Sequence, residues 1–149
     1  MIETNRVVAH YLDGRLVKGT TDDFLPNRPK FHLHQVGGGA PVEIECKKLK
    51  ALFFVRDLAG KATRPDIHGF GMVVHEGNPG KKIAVEFKDG EVLFGYTLAY
   101  STERDGFFMT PADVGTNNIR IYVMRTSTNK ILVGAKAEAL AGGKGTQAA

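Results

Sequence analysis

The chain has 149 residues, 42% of them hydrophobic, which is enough for one ordinary domain or two small ones. No apolar run approaches the roughly 18 residues of a membrane span, and the start MIETNRVV lacks the order of a secretory signal, so the expected location is the cytoplasm with no membrane partner. The 20 Lys and Arg against 16 Asp and Glu give a formal charge of +4, a mild bias towards anionic partners that demands none.

The first predicted element is a hairpin in VAHYLDGRLVKG, Val8 to Gly19. Asp13-Gly14 between alternating apolar runs predicts a two-residue type I′ turn, with Tyr11 opposite Leu16 and Ala9 near Lys18. Gly19, inside the second strand, predicts a bulge, a sharp bend or a close backbone approach. Phe31 and Leu33 mark a third strand. After the loop VGGGAP, Val42, Ile44 and Cys46 share one face of a fourth, which makes Cys46 a buried, inert thiol. LFFV closes the set as a fifth.

A Gly- and Pro-containing stretch follows, with one extra strand expected over Gly69 to His75. Then AVEFKDGEVLFG, Ala84 to Gly95, repeats the opening hairpin 76 positions on, with Asp89-Gly90 at the turn and Gly95 at the place of Gly19. Pairing outward from a two-residue turn puts Phe87 opposite Val92, Val85 opposite Phe94 and Ile83 opposite Tyr96, all on one core face. At the same offset Tyr100 matches Phe24, Arg104 matches Arg28, and Phe107 with Met109 matches Phe31 with Leu33. Ile119, Ile121 and Val123 alternate next, and KILV closes the second set. From Ala135 the chain AKAEALAGGKGTQAA reads as a turn or two of helix and then a flexible tail.

The expected fold is therefore all-β: two tandem five-stranded small barrels related by internal duplication and packed together. The first spans 5–57 and the second 81–134, with a linker over 58–80 and a tail over 135–149. Barrels this small bury marginal cores, so Phe54, Phe70, Leu98 and Tyr100 are candidate contacts between them.

In the first copy, Asp13-Gly14-Arg15, then Gly19, Phe24, Asn27 and Phe31-His32-Leu33, resembles the first motif of Sm-like proteins, small bent barrels that bind RNA as rings. Barrels of the Src-homology-3 type share much of this pattern. The whole chain also looks like an uncharacterised bacterial family of paired small barrels with relatives associated with PilZ-type cyclic-dinucleotide receptors. The PilZ signature itself is absent: no arginine has another four residues on, and Ser101 and Ser127 lie outside its second motif. The Sm resemblance implies RNA binding between FLPNRPK and KKL in one copy and between YSTERDG and RTSTN in the other. Leu25 stands where that family has Asp, Glu91 replaces the arginine in the second copy, and the family's Arg-Gly turn is missing from both.

What remains at those loops is basic: Arg28, Lys47 and Lys48 in the first copy, Arg104 and Arg125 in the second. They are the candidate anion- or nucleic-acid-binding residues. The turn and bend residues Asp13, Gly14, Gly19, Asp89, Gly90 and Gly95 are structural. His32 and His34 share a strand face, and His10, His68 and His75 could approach them, but ordinary surface histidines are the expectation and no metal is expected. Asp22-Asp23 reads as a solvated strand end, and neither serine sits in a nucleophile setting. Gly37 to Gly39 lacks the Lys-Ser/Thr of a phosphate loop.

No catalytic residue and no cofactor is expected, so the chain reads as a non-enzymatic interaction module for a protein partner, acting by strand addition at an exposed sheet edge. Nucleic acid bound at the basic rim is the alternative. A homo-oligomer is compatible with the sequence, and the choice between a ring and a compact pseudo-dimer stays open.

Overall fold

The alternating apolar runs form strands. A computed structural model describes residues 4–26, 28–58, 80–98, 100–112 and 118–147. Among them the first half holds β1 (Asn5–His10), β2 (Leu16–Thr21), β3 (Lys30–Gln35), β4 (Val42–Glu45) and β5 (Ala51–Val55). The second holds β6 (Lys81–Phe87), β7 (Val92–Thr97), β8 (Gly106–Pro111), β9 (Asn118–Met124) and β10 (Thr128–Val133), followed by the helix α1 (Ala135–Gln147). Asn27, His68, His75, Phe70 and the strand expected over Gly69 to His75 lie outside the described residues.

The strands form one open antiparallel sheet in the order β10-β6-β7-β8-β9-β5-β1-β2-β3-β4. Both halves thus run fifth, first, second, third, fourth, with a short 3-10 turn (Cys46–Lys48 or Arg125–Ser127) between the fourth and fifth strands. Their joint is β5 against β9, with Ala51 facing Val123, Leu52 facing Tyr122 and Phe53 facing Ile121.

The hairpin register differs from the expected one by a residue. Ala84 faces Phe94 and Val85 faces Leu93; Ala9 faces Val17 and His10 faces Leu16. A type I′ turn needs positive φ at both central residues, yet within these two turns Gly14 (φ 93) and Gly90 (φ 96) have it while Asp13 and Asp89 do not. The turns are three-residue loops. Gly90 N–H donates to the Phe87 carbonyl at 2.9 Å and Phe87 N–H to the Glu91 carbonyl at 2.8 Å, the pattern of a type I turn with a glycine bulge. Asp13 and Asp89 hold these turns by accepting the Arg15 and Glu91 N–H groups at 2.9 and 3.1 Å. A one-residue slip moves a strand's side chains to the opposite face. Val85 therefore packs with Ile83 and Phe87, while Phe94 and Tyr96 point the other way with Ala84.

That second apolar face needs a cover, and α1 supplies it. Ala137 is wholly buried against Ala84, Phe94 and Tyr96, with Leu140 and Ala141 beside it, and Glu138 pairs with Lys82. The stretch read as a flexible tail is thus helical over 135–147, because a docked apolar stripe stabilises a helix whose sequence alone gives only a turn or two.

The strand glycines mark close backbone approach. A Cβ on Gly19 would lie 2.0 Å from the His34 carbonyl oxygen, and one on Gly95 2.2 Å from that of Thr110. This lets β3 turn across the sheet, pairing with β4 through its first four residues and with β2 through Gln35 and His34. Thr21 donates to the His32 carbonyl and Thr97 to the Phe108 carbonyl, at 2.8 and 2.9 Å, so the corner is built alike in both halves.

One core gathers Val7, Phe31, Leu33, Ile44, Leu52 and Phe54; Tyr122 and Met124 enter it from the second half. A second gathers Ile83, Val85, Phe87, Phe107 and Met109; Val8, Ala51 and Phe53 enter it from the first. Each half therefore completes the other's core. Of the contacts expected between halves, Phe54 fits, with its ring 5.9 Å from that of Phe108. Tyr100 packs on Phe107 within its own half, and Leu98 is 75% exposed, since it lies just past the end of β7.

Candidate functional site

The joint brings three loops to one place. A cleft of about 740 Å³ opens between Pro26, Arg28 and Pro29 from the β2–β3 loop, Cys46 and Lys47 from the first 3-10 turn, and Glu103, Arg104 and Asp105 from the β7–β8 loop. Its floor is Phe107, Phe108, Tyr122 and Met124.

Both lips are fixed by hydrogen bonds. The Tyr122 hydroxyl donates to the Pro26 carbonyl at 3.1 Å, tying the first-half loop to the second-half strand. Cys46 N–H donates to the Pro29 carbonyl at 2.8 Å, and its thiol, pushed up to about 11 by burial, lies 3.7 Å from the Arg28 carbonyl oxygen. On the other lip the Arg125 guanidinium donates to the carbonyls of Thr102 and Arg104 at 2.6 and 3.0 Å, and its backbone N–H to that of Asp105 at 2.9 Å. Loops held this way present their side chains at fixed positions, which lowers the ordering cost of a bound ligand.

The five basic candidates are therefore not equivalent. Arg28, Lys47 and Arg104 converge on the cleft. Lys48 does not line it and pairs with Glu45 at 3.3 Å. Arg125 is spent on loop carbonyls, because the 3-10 turn aims its side chain back at the preceding loop. The rim also carries Glu103 and Asp105, so the first-half lip is cationic and the second-half lip is mixed. The structural residues Asp13, Gly14, Asp89 and Gly90 sit in the three-residue turns, and Gly19 and Gly95 at the corners.

Other clusters are structural. His32 Nδ1 lies 2.7 Å from Asp23 Oδ2, and Asp23 also accepts from the His32 N–H and the Thr21 hydroxyl, so Asp23 closes a strand end. Among the described residues no group of three or more His, Cys, Asp or Glu is arranged to hold a metal. Among the same residues no helix is long and apolar enough to cross a membrane.

Sequence reasoning missed Lys50. Its side chain is 7% exposed and its ammonium meets Asp89 Oδ2 at 2.7 Å and the Glu91 carboxylate, 4.9 Å above the Phe87 ring. Burial acts to lower its pKa, but the hydrogen bonds it donates to Asp89 and Glu91 outweigh that and hold it above the ordinary lysine value. Its carbonyl accepts from Ser127 Oγ at 2.8 Å. Lys50 thus locks the second hairpin to the start of β5. A lysine ahead of the run ALFFV was the available signal.

The model of one protein family matches residues 3–134. The chain belongs to DUF6982, a family of unknown function. The matched span takes in the ten strands found among the described residues of this DUF6982 chain and both lips of the cleft, and ends at Gly134, just before α1. No curated protein and no solved structure matches it.

Proposed function

We propose that the chain is a duplicated pair of small barrels of the Sm or Src-homology-3 kind, working in the cytoplasm as a non-enzymatic module that docks a segment of a partner protein. The duplication is supported by the shared strand order and by the matched corner contacts of Gly19 with His34 and Gly95 with Thr110. The first barrel takes 5–57 and the second 81–134.

The observation that carries the docking function is the cleft made by both halves. It combines an aromatic and apolar floor with a rim of Arg28, Lys47 and Arg104 facing Glu103 and Asp105. Its volume falls in the range of roughly 300–1,000 Å³ typical of ligand sites. Mixed charge over an apolar floor fits a peptide whose acidic side chain meets the cationic lip and whose apolar side chain enters the floor. Glu103 and Asp105 would repel a phosphate backbone, so a peptide is favoured over nucleic acid.

The test is selection of a displayed library of random peptides, about 12 residues long, on the full chain, with an Arg28→Glu/Arg104→Glu variant as counter-target. Enrichment of acidic, apolar sequences that bind the native chain and lose at least about tenfold affinity on the variant supports the reading. Peptides that bind both proteins equally refute it. So does tight, salt-sensitive binding of a labelled single-stranded RNA that the same variant abolishes.

A further inference from the structure

The internal joint has two sides, and each recurs in the other half. On the first-half side, the outward face of β1 and β5, with Val8, Ala51 and Phe53, enters the second half's core. On the second-half side, the outward face of β8 and β9, with Phe108, Tyr122 and Met124, packs on the first half's core. The pairings fix the equivalences: Ala9 faces Leu52 as Val85 faces Ile131, and Phe31 faces Ile44 as Phe107 faces Val123. Ala84, Lys130 and Leu132 thus stand where Val8, Ala51 and Phe53 do, and His32, Glu43 and Glu45 where Phe108, Tyr122 and Met124 do.

Neither end of the sheet is left as the joint is. Ala84 and Leu132 are covered by α1, through Ala137, Leu140 and Ala141, where a neighbouring half would otherwise sit. The opposite end is polar, and each residue already has a partner: His32 with Asp23, Glu43 with Lys30 at 3.4 Å, and Glu45 with Lys48. Charges at positions that pairing would bury, short edge strands and a covering helix are the devices by which edges resist growth.

We infer that α1 and the trio His32, Glu43 and Glu45 terminate the sheet, so that this chain makes the joint once, within itself, and does not repeat it with a second copy. The inference is independent of what the cleft binds.

The test is analytical ultracentrifugation of the full chain between about 1 and 100 µM, beside two full-length variants whose folding is checked by circular dichroism. The native chain is expected to sediment as a monomer throughout. His32→Phe/Glu43→Tyr/Glu45→Met, confined to exposed or half-exposed sites, is expected to stay monomeric, because α1 still covers the other end. Adding Ala137→Asp and Lys130→Ala to that variant is expected to give concentration-dependent association. A native chain that assembles overturns the inference. Association of the triple variant with α1 docked removes the role of the helix. A folded five-site variant that stays monomeric shows that these residues do not terminate the sheet.

Discussion

Lys50 Nζ and Asp89 Oδ2, 2.7 Å apart, join the two halves through a buried ion pair, with Glu91 as the second acceptor. The ammonium is almost wholly enclosed, whereas Asp89 and Glu91 keep 29% and 47% of their side chains in solvent.

This asymmetry sets the first prediction. Removing the carboxylates strands a buried charge, so Asp89→Asn/Glu91→Gln is expected to cost about 3 kcal/mol. Lys50→Met removes the charge itself and keeps the stem's packing, while both carboxylates can return to water, so it is expected to cost about 1 kcal/mol or less. Urea denaturation of both variants checks the order. Equal losses would mean that removing the two carboxylates does not leave a stranded buried charge at Lys50.

A second prediction concerns pH. Burial, then the charges of Lys50 and Lys18, lower the His10 pKa from 6.5 to about 4, with Asp89 opposing. Its ring lies 4.0 Å from that of Phe53. The folded chain holds this group neutral while the unfolded chain takes up a proton. Its contribution is therefore complete above pH 6.5 and is lost as pH falls from there to about 4, by at most about 3 kcal/mol. Asp89 acts lower on the scale. Burial would raise its pKa, but the hydrogen bond from Lys50 holds it below the ordinary carboxylate value, so its contribution fades only as pH falls below 3.8. Denaturation midpoints are expected to fall as pH is lowered from 7 to 4 in the native chain, and to change less over that range in His10→Phe.

A third prediction separates two kinds of glycine. Gly95→Ala puts a methyl group into the Thr110 carbonyl, a backbone atom that cannot swing aside, and is expected to cost about 3 kcal/mol or more. Gly90→Ala meets no atom within 4 Å and bears only the strain of φ 96, about 1 kcal/mol. Thermal melts of the two variants read the difference directly.

Much of the fold is legible in the sequence. The alternation of Val42 and Ile44 places β4 and its inward face, while Cys46, expected on the same strand, is buried just past its end in the 3-10 turn; the paired glycines 19 and 95 mark the corners. The hairpin register is not legible in the same way. Asp-Gly serves either a two-residue turn or a three-residue loop with a glycine bulge, and side-chain capping by Asp13 and Asp89 accompanies the second. That single residue moves Phe94 and Tyr96 to the outer face, which is why α1 is also hidden from a reading of its own weak pattern. At the site, the loops carrying Arg28, Lys47 and Arg104 are legible from the repeat. Their convergence is not, because it depends on β5 pairing with β9 across a long stretch of chain.

Whether a partner enters the cleft between the halves or extends the sheet is read by amide chemical-shift mapping of the full chain titrated with an acidic, apolar peptide from the selection. Shifts confined to Arg28, Lys47, Arg104 and Gly106 around the cleft are the expected result. Shifts concentrated along β4 or β10, with the cleft unmoved, would contradict docking in the cleft and return strand addition as the mode of binding.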